Sequence, residues 1–179
     1  MQHIMLDLET WGTRAGSAIR SIGAVVFNPD KPTAPLGAEF YCNISDASCE
    51  AIGLVRDPRT VQWWSEQSEA ASAALQADQV GIGEAMRRFT KWFEGVGGQY
   101  VWGHGASFDP VLLEAAYEAC LLEAPWKFWD VRCCRTVLSM ANRKPERQRS
   151  DVHHNALDDA KAQARAVQAA FRYGQFSAR

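Results

Sequence analysis

The sequence predicts an α/β sandwich built on a mixed sheet of five or six strands flanked by helices. Three strand-like runs open the chain: His3 to Leu8, Ile19 to Phe27 and Glu39 to Asn43. Short breaks join them, as in an antiparallel meander. From Asp57 onward, helical patterns alternate with short apolar strands, which packs helices onto a sheet. At ~150 residues per domain, 179 residues make one domain, taken as 1–179.

The elements follow in order. His3 to Leu8 is short and mostly apolar, and Ile22, Val25, Val26 and Phe27 supply β-formers to the second run. Trp11 to Gly16 between them has turn composition, and Asn28-Pro29-Asp30 and Pro32 to Pro35 break the chain again. Asp57-Pro58 is a helix start, with Asp as N-cap and Pro in the first helical position. Val61, Trp64 and Leu75 give patchy helical spacing through Ala77. A second helix from Ile82 to Glu94 puts Met86, Phe89 and Phe93 on one face.

Tyr100-Val101-Trp102 is a buried strand, and Ser107 caps a helix carrying Val111, Leu112, Ala115, Ala116 and Cys120. Lys127 to Val131 is a weak strand before a helix through Met140. Arg143 to Arg149, with four positive charges in seven residues, is a basic loop. Asn155 to Tyr173 is an Ala-rich last helix whose core face is Leu157, Ala160, Ala164, Val167 and Phe171. There is no internal repeat, low-complexity tract or interdomain linker.

Composition narrows the function classes. A 47% hydrophobic chain with 22% charged residues is globular rather than disordered. The 19 Lys and Arg against 21 Asp and Glu give −2, which excludes a general basic coat but not a local basic patch. Five cysteines with no CxxC pair argue against a disulfide framework and a structural zinc site. No run of ~18 apolar residues is present for a membrane span. Asp7 and Glu9 exclude a signal-peptide apolar core at the N-terminus. The expectation is a reduced, soluble, cytoplasmic protein.

Chemistry concentrates in three acidic segments. In Met5 to Thr10, the strand period of two puts Asp7 and Glu9 on one face and Leu6 and Leu8 on the other. That face is either wet, as in many half-exposed strands, or holds a cation between two repelling carboxylates. Asp109 follows a buried strand and opens a helix, where the helix dipole alone favours an acid. The same holds for Asp158 and Asp159 at the start of the last helix. Each segment alone is ordinary; the three in order are not.

Asp7-Leu8-Glu9-Thr10, Phe108-Asp109 and His154 with Asp159 resemble the three motifs of DEDDh 3′→5′ exonucleases, which have the ribonuclease H-like three-layer fold. The motifs span residues 7 to 159. Thr60 to Trp64 and Gly105 to Pro110 look more like a compact bacterial and phage exoribonuclease-like subgroup than polymerase proofreading subunits. One departure stands out: family members often carry Asn where this chain has Gly105, so a polar contact is missing there.

The resemblance implies a chemistry. In-line hydrolysis of a phosphodiester builds charge on the attacking and leaving oxygens, and two cations ~3.5–4 Å apart stabilise both. It assigns Asp7, Glu9, Asp109 and Asp159 to two divalent cations, Mg²⁺ or Mn²⁺, with Asp7 bridging, and His154 to the general base. His153 competes for that role, although it reads more simply as a solvated loop residue. Single-stranded RNA or DNA 3′ ends are the implied partners, and nucleoside 5′-monophosphates the product. The likeness to dimeric relatives such as ribonuclease T suggests a homodimer.

Thr10 and Trp11 beside the first motif are candidate substrate contacts, as are Trp63, Trp64, Phe108 and Arg147. An exposed ring stacking on a base contributes ~1–3 kcal/mol without regard to sequence. Each also has a plain role, in core packing or as a solvated charge. Two rivals remain open: an inactive nucleic-acid-binding module of the same fold, and a ribonuclease H-type endonuclease.

Overall fold

The computed structural model describes residues 2–141 and 155–173. β1 (Gln2–Thr10), β2 (Ile19–Phe27) and β3 (Glu39–Asn43) form the expected antiparallel meander. β4 (Gly98–Gly103) and β5 (Val131–Cys133) add in parallel on the other side of β1, giving the order β3-β2-β1-β4-β5. The strand carrying Asp7 and Glu9 is therefore central.

Helices α1 (Asp46–Glu50), α2 (Pro58–Ser65), α3 (Glu69–Ala74) and α4 (Ile82–Gly95) precede β4. Helices α5 (Asp109–Ala119) and α6 (Cys134–Met140) lie before and after β5, and α7 (Ala156–Tyr173) ends the described chain. Side-chain alternation splits β1 between two cores. Ile4, Leu6 and Leu8 join Ile22, Phe89, Phe93, Leu112 and Tyr117 beneath α4 and α5. Met5 joins Val25, Phe27, Trp102, Ala160, Ala164 and Val167 beneath α7. The outcome is three layers: helices, sheet, helices.

Several boundaries differ from the sequence reading. The helical stretch from Pro58 breaks into α2 and α3, because between Trp64 and Leu75 the chain has only Ser, Glu, Gln and Ala to bury. Helix α5 starts at Asp109 with Phe108, not Ser107, at its N-cap, and no side chain caps it. The Lys127 to Val131 strand is instead a 3₁₀ turn at Phe128–Asp130 followed by β5, since only Val131 to Cys133 find partners on β4. Helix α1 has too short an apolar pattern to be foreseen, with Cys49 its buried residue.

In α7 the core face runs through Ala156 rather than Leu157, which is half-buried. All five cysteines are free. Among the described residues no helix is long and apolar enough to cross a membrane.

Candidate active site

The α7 face of β1 presents His3, Met5, Asp7 and Glu9 in succession. It is not a wet face: the helix lies over it and Glu9 is 8% exposed. Gly23, paired with Asp7 on β2, makes this possible. A Cβ there would stand 2.1 Å from the Ala156 carbonyl carbon and the Leu157 nitrogen, so only glycine lets the first turn of α7 rest on the strand. Asn155 Oδ1 caps that turn, accepting the N–H groups of Leu157 and Asp158 at 3.0 and 3.2 Å.

This seating carries Asp159 to the acidic pair. One carboxylate oxygen from each of Asp7, Glu9 and Asp159 lies within 4.8 Å of the others. Asp109 approaches from the start of α5. Its carboxylate accepts the backbone N–H groups of Leu8 at 3.3 Å and His104 at 3.0 Å, which tie it to the loop and to β1. From the second turn of α7, Gln163 Nε2 donates to Asp7 Oδ1 at 2.6 Å, and Gln163 Oε1 is buried without a partner.

Crowding and burial act together on these acids. Burial pushes the Asp7 carboxyl well above the usual carboxylate range, and Asp109 and Glu9 push it further. Glu9 rises to about 8, through burial and then Asp159. Asp109 rises to about 6 through burial, opposed by its bonds from His104 and Leu8. Buried carboxylates in this concentration hold charge only beside a cation. An all-oxygen set of this kind fits a hard divalent ion such as Mg²⁺ or Mn²⁺.

The neighbouring aromatic residues divide sharply. Trp11 and Trp64 are buried, with the Arg20 guanidinium between them at 4.1 and 4.3 Å from the ring centres. Trp64 Nε1 donates to the Thr10 carbonyl at 2.9 Å, and Trp11 Nε1 to Asp46 Oδ1 at 2.6 Å. Thr10 Oγ1 donates to the Gly12 carbonyl at 2.6 Å. Trp63, by contrast, is 43% exposed. Phe108 is half-buried against the larger core. His154, its rival His153, and Arg147 with the basic run Arg143 to Arg149 lie outside the described residues.

Residues 2–171 match the Rv2179c-like 3′–5′ exoribonuclease domain. The chain belongs to that family. In structure it is similar to E. coli exonuclease I solved with a dT13 oligonucleotide, with a TM-score of 0.68 at 13% identity, over 96% of this chain and 41% of that one. A product-bound exonuclease I matches 97% of this chain and 44% of its own at 16% identity and a TM-score of 0.62. The nuclease domain of 3′hExo, a DEDDh member bound to rAMP, is similar over 97% of this chain and 92% of its own, at 13% identity and a TM-score of 0.60. No curated protein matches the sequence. The fold is thus the ribonuclease H-like one of DEDDh exonucleases, and this chain spans well under half of exonuclease I.

Three residues beside the acids escaped the sequence reading. Gln163 has no motif to mark it. Gly23 carried a signal, a glycine within an apolar strand, which commonly marks close backbone approach. Arg20 has no local signal, since its contacts with Trp11 and Trp64 are made by the fold.

Proposed function

We propose that the protein is a divalent-metal-dependent exonuclease that removes nucleoside 5′-monophosphates from the 3′ ends of single-stranded RNA. The observation that carries this is the triangle of Asp7, Glu9 and Asp159, within 4.8 Å of one another on a face closed by α7. The family's exoribonuclease description supports RNA over DNA. Asp7, Glu9, Asp109 and Asp159 would hold the metal ions, which supply an acidified water and balance the charge on the departing oxygen. Gln163 fixes the orientation of Asp7, and the N–H groups of Leu8 and His104 fix that of Asp109. Trp63, exposed where Trp64 is buried, is the candidate of its pair for stacking on a base; Trp11 and Trp64 pack on Arg20 instead.

His154 is assigned the proton acceptor for the attacking water, on its place in the third motif. The rate should then fall as pH drops through the histidine pKa, and His154→Ala should lose ~10²–10⁴-fold in rate while metal binding, a carboxylate property, persists. The direct test digests 3′- and 5′-labelled single strands, RNA beside DNA, with Mg²⁺ or Mn²⁺. Stepwise shortening from the 3′ end, slowed by a terminal 3′-phosphate, is the expected result. Internal oligonucleotides as first products would mean an endonuclease, and retention without cleavage would mean a binding module.

A further inference from the structure

The loop from Gly103 to Asp109 walls one side of the acidic site, and Arg135, the second residue of α6, faces it. A Cβ placed on Gly105 would lie 3.8 Å from the guanidinium carbon and 3.9 Å from each terminal nitrogen. Near-equal distances to three atoms mean that the guanidinium turns its face, not its tip, toward the loop. Gly105 is buried and brings no side chain of its own to that contact.

Arg135 is exposed and forms no ion pair among the described residues. The loop it faces holds Asp109 through the His104 N–H, and the Asp109 carboxylate is already satisfied by that bond and the one from Leu8. Arg20, another cation near the cluster among the described residues, is buried against the Trp11 and Trp64 rings. An exposed cation beside the loop that holds one of the clustered acids has an evident use. The acidic cluster repels a polyanionic strand, and a planar guanidinium can grip a phosphate with two parallel hydrogen bonds.

We propose that Arg135 binds a non-bridging phosphate oxygen of the substrate's 3′-terminal dinucleotide. The assignment rests on the nuclease reading above. Its test is steady-state digestion of a labelled single-stranded RNA over a series of salt concentrations. Arg135→Ala should raise KM about tenfold, the effect of one charge-assisted contact at an exposed site, with kcat within about threefold. The slope of log KM against log salt should shrink by about 0.7, the mark of one phosphate contact on a single strand. Arg135→Lys should restore the slope and only part of the affinity, since a point charge lacks the fork.

A slope and KM equal to wild type in Arg135→Ala would overturn the assignment, as would a fall in kcat with KM unmoved. Binding of a fluorescent strand to Asp159→Asn, with and without Arg135→Ala, separates the two readings. A changed salt slope there, with a wild type that cuts nothing, sinks the nuclease and keeps the phosphate contact. An active wild type with an unchanged slope sinks Arg135 alone.

Discussion

Along one face of β1, His3 and Met5 sit in a packed apolar end, whereas Asp7 and Glu9 sit in a charged one beneath the same helix. His3 is 8% exposed, and its Nδ1 accepts the Trp102 indole N–H at 3.0 Å while its ring packs on Phe27 and Tyr100. Burial pushes its pKa down to about 4, so it stays neutral and satisfied. At the other end, burial and mutual repulsion act together on carboxyl groups and raise their pKa values. A residue whose burial and hydrogen bonds agree is there for packing. Where burial and charge conflict, a proton or a cation relieves the conflict.

The largest effect should come from removing that conflict. Asp7→Asn or Asp159→Asn is expected to abolish nuclease activity while the melting temperature of the metal-free protein holds or rises, because one repelling charge has gone. Added Mg²⁺ should raise the melting temperature of the wild type and do much less for either variant. Full activity in either purified variant would end the metal reading.

Next comes the seat of the helix. Gly23→Ala drives a methyl group into backbone 2.1 Å away, which no side-chain rotation relieves. It should cost about 3 kcal/mol, the upper part of the overpacking range. That is a drop of roughly 6–12 °C in melting temperature for a chain of this size. Because the first turn of α7 carries Asp159, metal affinity should fall as well. Val25→Ala at the apolar end should lower stability while leaving metal affinity intact.

The two ends also predict opposite pH dependences. His3 titrates near 6.5 when unfolded and about 4 when folded, so stability is lost as pH falls through that window, by on the order of 3 kcal/mol at most. The acids have folded pKa values above their unfolded ones, so their contribution is greatest at low pH. It is lost as pH rises through about 6 for Asp109 and about 8 for Glu9. Above pH 6.5 only the second effect remains. The melting temperature of the metal-free protein should therefore fall between pH 6.5 and 8.5. Saturating Mg²⁺ should remove most of that fall, and a flat metal-free profile would refute the crowding argument.

How much of this the sequence disclosed differs between the two ends. The meander and the helix from Ile82 were legible, since β-branched runs and helical periodicity are local signals. Asp7, Glu9 and Asp159 stood in the sequence as separate motif positions, and the fold brings their carboxylates together. Gln163 was not legible, because its bond to Asp7 spans 156 residues and no local pattern encodes it. The choice of Ala156 over Leu157 for the core face was hidden for a similar reason. It follows from the bare backbone of Gly23, a strand away.

The smallest effect separates two neighbouring acids. Asp158 and Asp159 both lie in the first turn of α7, where any acid gains from the helix dipole. Periodicity alone does not choose between them: at ~100° per residue both fall away from the centre of the core face. Asp159 joins Asp7 and Glu9, while Asp158 stands outside that triangle, its backbone N–H bonded to Asn155 Oδ1 at 3.2 Å. With Asn155 as N-cap, Asp158 is the third helical residue, from which an acid can reach back to the cap's own N–H. That position offers Asp158 a local task. Asp158→Asn keeps a polar side chain of the same shape there, and should cost at most ~1 kcal/mol of stability with most activity retained. Thermal melts and rate assays on Asp158→Asn and Asp159→Asn side by side decide it. A dead Asp158→Asn beside an active Asp159→Asn would reverse the assignment and with it the register of the third motif.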